Sequence, residues 1–297
     1  MELRVLHYFL AVAREQSISA AAQSLHLTQP TLSTQLKALE EELGKQLLVR
    51  GTKGSRKVTL TEEGMILRKR AEEILTLLNK AEEEIAHSDD TVVGTVSIGA
   101  GETDIVRYFA KAARTLQKRY PDIRYQISSG NAEYVLEYLD KGLIDFGLVF
   151  GEVDQRKYQS LPLPAKDTWG VLMRRDSPLA EKEAITPQDL WDKPLLLSHQ
   201  RGGSGALFRW LKRDASQLNV VATYNLVYNA SLLVDEGLGY ALTLDKLIHT
   251  EGTDMCFRPL SPGMEATASI VWKKYQVFTK AADTFLRCLK EQLPQES

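Results

Sequence analysis

Residues 17 to 44 contain two short helical patterns joined by very few residues, and this spacing constrains the fold more than any other feature. In the first pattern, SISAAAQSL, Ser17 or Ser19 can cap a helix whose alanines offer a smooth packing surface. The second pattern begins after HLTQP, where Thr28 can cap and Pro30 fits the first turn, because its missing N–H has no helical partner there. Two helices joined so tightly predict a helix-turn-helix.

The second helix combines an apolar stripe with a polar face that lacks carboxylates. Its leucines repeat at 4-3-4 spacing, which predicts one buried stripe: Leu32, Leu36, Leu39 and Leu43. The other side carries small, uncharged or cationic side chains: Gln29, Pro30, Thr31, Ser33, Thr34 and Lys37. Such groups can bond to base edges and approach phosphates, so we expect this face to enter the major groove of double-stranded DNA. The alternative is an ordinary solvated face.

A basic hairpin follows this helix directly. Residues 47–50 and 57–60 resemble short strands, and Gly51 and Gly54 mark the turn between them. The segment from Lys45 to Lys57 holds five cations and no acid, although the net charge of the chain is -2. We expect the hairpin to contact phosphates or a minor groove through four side chains: Arg50, Lys53, Arg56 and Lys57.

These motifs occur in the order found in a known family. The stretch FLAVAREQSISAAAQSLHLTQPTLSTQLKALEEELGKQLLVR, with VTLTEEG after the hairpin, resembles the winged helix-turn-helix of the LysR-type transcriptional regulators. The resemblance implies that the first turns of the second helix read bases, a role we assign to Gln29, Pro30, Thr31 and Ser33. Many members have Arg where this chain has Thr34, so one long cationic side chain is missing.

Residues 61–88 form a long amphipathic pattern. Thr61 precedes two acids, Glu62 and Glu63, as suits a helix start. Apolar residues recur over about seven turns and predict a partner helix: Met65, Leu67, Ala71, Ile74, Leu75, Leu78, Ala81 and Ile85. The alternative is a helix that lies on its own domain. The family resemblance implies a linker helix that pairs subunits, and hence a homodimer or homotetramer on a two-fold-symmetric operator.

Strand and helix patterns alternate from residue 91 to 297, which predicts a parallel sheet with covering helices. Strand candidates are TVSIGA, RYQISSG, LIDFGLVF, TWGVLMRR, PLLLSH, NVVATYN, LGYALT and ASIVWKKY, with SLPLPA as a boundary between two units. The pattern resembles the α/β, two-lobed, periplasmic-binding-protein-like effector domain of the same family. We therefore expect three parts: a winged helix-turn-helix at 1–60, an all-α linker helix at 61–88 and an effector domain at 91–297. The resemblance places lobe I at about 92–161 and 267–297, and lobe II at about 162–266.

Three loops that follow strands are candidates for binding a small-molecule effector: GAGETD, SSGN and SHQRGGSG. The residues we expect to contact it are Gly101, Glu102, Thr103, Ser129, Gly130, Asn131, His199, Arg201, Gly203 and Ser204. Backbone N–H groups in such loops suit a small anion such as a carboxylate, with Arg201 or Ser204 assisting. Glu102 argues the other way, because its carboxylate would repel an anion and favour an amine or a hydroxyl.

Other classes of protein have less support. Two cysteines without a CxxC, and no histidines at ligand spacing, give no reason to expect a metal or a cofactor. GAGETD lacks the third glycine of a dinucleotide motif, and GGSGA has Ala206 where a nucleophile elbow has glycine, so we expect no enzyme. No apolar run approaches the roughly 18 residues of a membrane helix, and charges interrupt the N-terminal segment, so we expect a cytoplasmic protein without membrane contact. A solute-binding protein of the same two-lobed fold is the alternative.

Overall fold

The structure is a computed structural model that describes residues 1–51, 57–86, 92–198 and 201–293, with only the backbone for residues 84, 86 and 201–204. The chain divides into two compact units, Met1–Ala86 and His87–Ser297. Among the described residues, no helix combines the length and apolar character needed to cross a membrane.

The first unit contains the predicted helix-turn-helix and hairpin. Its elements are α1 (Leu3–Glu15), α2 (Ile18–Ser24), α3 (Gln29–Leu43), β1 (Leu48–Arg50), β2 (Val58–Leu60) and α4 (Glu62–Ala86). Ser17 caps α2 by accepting the Ala20 N–H at 3.3 Å, and Thr28 caps α3 by accepting the Thr31 N–H at 3.3 Å. Gly44 ends α3 with φ 63°, a conformation that glycine adopts without the strain of a Cβ.

One core joins the first three helices to the hairpin. Leu32, Leu36 and Leu39 of α3 are buried in it, as the leucine spacing predicts, and they share it with Phe9 of α1. The prediction is wrong for Leu43, whose side chain is 41% exposed. This leucine is the last residue of α3, so it lies past the part of the helix that α1 and α2 cover.

The predicted apolar stripe of α4 is covered only in the middle of the helix, whereas its members Met65, Ala81 and Ile85 are exposed. Ala71 and Leu75 are buried against Leu6 of α1, so this part of α4 packs on its own unit. Leu67, Ile74 and Leu78 are half-buried against the same cluster. Four other large apolar side chains of α4 are exposed: Met65, Ile66, Leu77 and Ile85. Ile66 and Leu77 are about three turns apart and lie on one side of the helix, away from α1.

The second unit is an α/β structure. Its strands are β3 (Gly94–Ala100), β4 (Ile123–Ser129), β5 (Phe146–Phe150), β6 (Tyr158–Arg174), β7 (Leu195–Ser198), β8 (Val220–Tyr224), β9 (Tyr240–Leu244), β10 (Met255–Pro259) and β11 (Glu265–Lys273). Its helices are α5 (Arg107–Arg119), α6 (Ala132–Asp140), α7 (Pro187–Leu190), α8 (Arg201–Leu211), α9 (Val227–Asp235) and α10 (Lys280–Gln292).

The strands form one mixed sheet in the order β4-β3-β5-β11-β6-β9-β7-β8, with β10 beside β6. The predicted parallel pairing holds for β3 with β4 and β5, and for β7 with β8 and β9. It is wrong in the middle of the sheet, where β6, β10 and β11 pair antiparallel. Two hydrophobic cores lie along the sheet. We call the part around Phe146 and Phe285 lobe I, and the part around Leu195 and Leu242 lobe II.

Strand β6 passes from one core to the other without a turn. Leu163 belongs to the core of lobe I and Val171 to the core of lobe II. The lobe boundary at SLPLPA stays a prediction, and the segment itself belongs to β6, which contains both of its prolines. The ladder with β11 is irregular between Thr267 and Ser269, opposite this segment. Such an irregularity accommodates prolines, which lack the N–H that a regular ladder requires.

Candidate DNA interface and ligand cleft

The polar face of α3 is open to solvent at the start of the helix. Gln29, Pro30, Thr31, Thr34 and Lys37 are exposed, and Ser33 is half-buried. The Thr31 hydroxyl lies 2.8 Å from the Thr28 hydroxyl, so the helix cap and the exposed face share a hydrogen bond. No acid occurs in the first turn of α3. This face therefore combines hydrogen-bonding groups with the positive end of the helix dipole.

The cations near α3 lie in loose, solvent-exposed pairs. Lys37 is 3.5 Å from Glu41, and Lys45 is 3.5 Å from Glu63. Exposed pairs of this kind contribute at most about 1 kcal/mol, so a phosphate can compete for these cations. Lys57 is exposed at the start of the second hairpin strand. Lys53 and Arg56, predicted from the sequence, lie outside the described residues.

Glu40 connects α3 to the hairpin, a role that its sequence position does not reveal. Its Oε1 accepts the N–H groups of Leu47 at 2.7 Å and Leu48 at 3.0 Å. Its Oε2 lies 3.5 Å from Nη2 of Arg50, and the Glu40 side chain is only 15% exposed. An acid in the second half of a helix usually indicates a solvated face. Here the same carboxylate fixes where the hairpin begins relative to α3.

We expect Glu40→Ala to free the hairpin from α3. The substitution leaves two backbone N–H groups without their charged acceptor, which costs about 2–3 kcal/mol of stability in the first unit. Amide hydrogen exchange at Leu47 and Leu48 should become faster, and DNA affinity should fall for all sequences alike. Glu41→Ala is the matched control, since the Glu41 side chain lies in an exposed pair with Lys37 and forms no other hydrogen bond or ion pair within the described part of the chain. Unchanged exchange in Glu40→Ala would contradict the anchoring role.

A cavity of about 280 Å³ lies between the two lobes of the second unit. Four residues that the sequence predicted as effector contacts line it: Gly101, Glu102, Gly130 and Asn131. Ser129 lines an adjoining space of about 300 Å³ together with Tyr134. Of the other predicted contacts, His199 lies outside the described residues. Arg201, Gly203 and Ser204 are placed at the start of α8 by their backbone alone.

Most of the cavity wall consists of residues that sequence reasoning missed. They are mainly large and apolar: Leu148, Val149, Phe150, Trp169, Val227, Leu244, Leu247 and Met264. Polar members of the wall include Ser198, Tyr224, Asn225, Thr243 and Thr267. Several of these residues end strands or directly follow them, so the rule that ligands bind at strand ends would have indicated part of the set.

Thr103, predicted to face the effector, lines a space beside Gly101 and Glu102 and also bonds to the strand that crosses between the lobes. Its hydroxyl donates a hydrogen bond to the carboxylate of Asp167 on β6. Asp167 is 1% exposed, and burial raises the pKa of its carboxyl, with Asp245 adding to the effect. Asp245 in turn accepts the Thr168 N–H at 2.9 Å. The crossing strand thus carries a buried carboxyl beside the cavity.

We expect Asp167→Asn to stabilise the second unit at neutral pH. The folded state holds the Asp167 proton more tightly than the unfolded chain does. The free energy of unfolding therefore falls as pH rises from the ordinary carboxyl pKa through the raised one. Asparagine removes this loss and can still accept the Thr103 hydrogen bond. Urea unfolding followed by tryptophan fluorescence at several pH values measures the effect, and lower stability of the variant at neutral pH would contradict it.

Comparisons with known proteins agree with this architecture. The family described as "Bacterial regulatory helix-turn-helix protein, lysR family" matches residues 3–65, and "LysR substrate binding domain" matches residues 89–294. The Hca operon transcriptional activator HcaR of Escherichia coli (strain K12) is 29% identical over 300 residues, covering 99% of this chain and 98% of that protein. The regulator BsdA of Bacillus subtilis (strain 168) is 38% identical over 145 residues, which cover 49% of each chain.

Solved structures share the fold. CbnR, a LysR family transcriptional regulator, has a TM-score of 0.75 and 20% identity, covering 99% of this chain and 100% of its own. Full-length CbnR complexed with its target DNA gives a TM-score of 0.75 and 21% identity, covering 98% of this chain and 99% of its own. The predicted fold class is therefore confirmed.

The chain belongs to the LysR family, because the substrate-binding match alone spans more than half of its length. It is a DNA-binding transcriptional regulator with a C-terminal effector-binding domain.

Proposed function

We propose that this regulator reads its operator with the first turns of α3 and grips the flanking phosphates with the hairpin. The exposed, carboxylate-free start of α3 carries this proposal. Gln29, Thr31 and Ser33 supply hydrogen-bonding groups for base edges, and Pro30 holds the first turn. The sugar-phosphate backbone of the DNA is contacted mainly by other side chains of α3 and by the hairpin: Thr34, Lys37, Arg50, Lys53, Arg56 and Lys57.

The cavity between the lobes is the proposed effector site, at Gly101, Glu102, Gly130 and Asn131 and at the adjoining residues around them. A ligand held by both lobes changes their relative position if it favours one arrangement over another, and this coupling alters promoter output. We place the boundary between lobe I and lobe II according to the two hydrophobic cores, so that Leu163 belongs to lobe I. We further propose that the protein works as a cytoplasmic regulator and not as an enzyme.

The exposed apolar side of α4 supports assembly into a homodimer or homotetramer. Ile66 and Leu77 are 60% and 41% exposed on the side of α4 that α1 does not cover. A second copy of the same helix would bury both residues and would place two helix-turn-helix units on a two-fold-symmetric operator.

The test is binding of the purified protein to the DNA upstream of its own gene, with random duplex as competitor, at two salt concentrations. Protection of a two-fold-symmetric site, with affinity that falls steeply as salt rises, is the expected result. No DNA binding even at low salt would contradict the proposal and would favour a solute-binding protein of the same two-lobed fold.

A further inference from the structure

A carboxylate of the protein already lies at the N-terminus of α9, beside the cavity. The Oε2 of Glu102, in the loop after β3, accepts the Val227 N–H at 2.6 Å. The residue before Val227 is Leu226, whose side chain cannot cap a helix, so Glu102 supplies the cap from 125 residues away. Helix N-termini attract anions, and here the Glu102 carboxylate already occupies that position.

The described part of the cavity wall carries charge of one sign. Its charged members are three acids: Glu102, Glu133 and Glu265. Glu265 is paired with Lys166 at 2.7 Å, and Glu102 lies on the side of lobe I. A carboxylate ligand entering this space would come close to the Glu102 carboxylate while losing its own hydration, and both effects oppose its binding.

The rest of the wall suits an apolar body. Trp169, Phe150 and Met264 line the space together with aliphatic side chains. Tyr224 adds its ring, but its hydroxyl is committed, because it donates to the Leu242 carbonyl at 2.6 Å. Burial raises the pKa of Tyr224 to about 12, and the negative charge of Glu102 adds to the effect, so this phenol stays neutral.

We propose that the effector of this regulator is an aromatic or similarly apolar molecule with a hydrogen-bond-donating head, above all a protonated amine, that binds Glu102. This inference rests on the proposed effector site. The amine donates to the Glu102 oxygen that Val227 leaves free, and the nearby Trp169 and Phe150 rings receive the apolar body. A carboxylate with the same body is selected against.

The experiment compares benzylamine, benzyl alcohol and benzoate, which share a ring and differ in the head group. Calorimetric titration of the full chain at millimolar ligand gives each dissociation constant. Quenching of tryptophan fluorescence that Trp169→Phe removes places the ligand in the cavity. We expect benzylamine to bind at least about 10-fold more tightly than benzoate, with benzyl alcohol between them.

Glu102→Gln tests the assigned residue while keeping the helix cap, because the glutamine oxygen can still accept the Val227 N–H. Benzylamine affinity should fall about 10-fold or more, and the preference over benzoate should disappear. Glu265→Gln is the matched control: it also removes a lining acid, but one paired with Lys166, so it should change the preference much less. Thermal unfolding of each variant verifies that it remains folded.

Three results would overturn the inference: benzoate binding as tightly as benzylamine, a preference unchanged in Glu102→Gln, or no binding of the amine and the alcohol. Operator binding measured on the same preparations separates this failure from failure of the proposed function. Retained operator binding with a carboxylate preference would reject the effector class alone, and loss of operator binding in the unaltered protein would reject the proposed function.

Discussion

Gln29→Ala should weaken binding to the operator by about 1–3 kcal/mol while leaving the affinity for random duplex nearly unchanged. Gln29 is exposed at the first position of α3, where an amide can make paired hydrogen bonds to a base edge. Truncation removes those bonds, and the helix, its Thr28 cap and its buried leucines remain. The measurement is a pair of titrations, with operator and random DNA at the same salt concentration.

Lys53→Ala is the contrasting variant, since a hairpin lysine is expected to contact phosphate and not bases. It should weaken binding to operator and to random DNA about equally. The slope of log affinity against log salt concentration should decrease by about one, as expected for the loss of one phosphate contact. If Gln29→Ala also lowered both affinities equally, α3 would not be the element that reads sequence.

Gly64→Ala should lower the stability of the first unit by about 2 kcal/mol. A Cβ at Gly64 would lie 2.2 Å from the carbonyl oxygen of Leu47, a backbone atom that cannot move aside as a side chain does. The same turn is held by Thr61, whose hydroxyl donates to the Gln46 carbonyl at 2.7 Å and accepts the Gly64 N–H at 3.0 Å. The clash costs about 3 kcal/mol, and the better helix propensity of alanine offsets about 1 kcal/mol of it.

Spectroscopy can assign this loss to one unit. The four tryptophans are Trp169, Trp191, Trp210 and Trp272, all in the second unit, whereas the first unit is mostly helical. In Gly64→Ala, the urea midpoint should fall for the transition of the first unit, which is followed by far-UV circular dichroism. The midpoint followed by tryptophan fluorescence should stay unchanged. Gly205→Ala is the control, because its Cβ would lie 3.7 Å from the end of Arg209 and would meet nothing closer among the described side chains. That variant should gain about 0.5–1 kcal/mol in the fluorescence transition, and a loss of stability there would contradict the steric explanation.

Local patterns predicted the first unit well because its elements are set by neighbours in sequence. Serine and threonine caps, the leucine spacing of α3 and the glycine after it all act within a few residues of one another. The errors arise where a distant element decides burial. Leu43 extends the stripe in sequence but no helix covers it, and the apolar residues of α4 divide between a side facing α1 and a side facing solvent.

In the second unit, eight strands were predicted and β10 was missed, and the predicted parallel pairing fails in the middle of the sheet. Alternating strands and helices predict parallel pairing, yet β6, which passes from the core of lobe I to that of lobe II, pairs antiparallel with β11. Both prolines of SLPLPA lie within β6, and the irregular pairing with β11 accommodates them, because proline lacks the N–H that a regular ladder requires. Similarly, loop composition indicated Gly101, Glu102, Gly130 and Asn131, but Trp169 and Tyr224 reach the cavity from strands far along the chain.

The position of α10 has a consequence for how the chain matures during synthesis. Ala281, Phe285 and Leu289 of this last helix lie in the lobe I core with Val96 and Phe146, which are made much earlier. Until α10 leaves the ribosome, the early strands of lobe I have an uncovered apolar face. A chain cut short before α10 would keep that face open and become a substrate for chaperones and proteases. Lobe I therefore reaches its stable form only after α10 has been made.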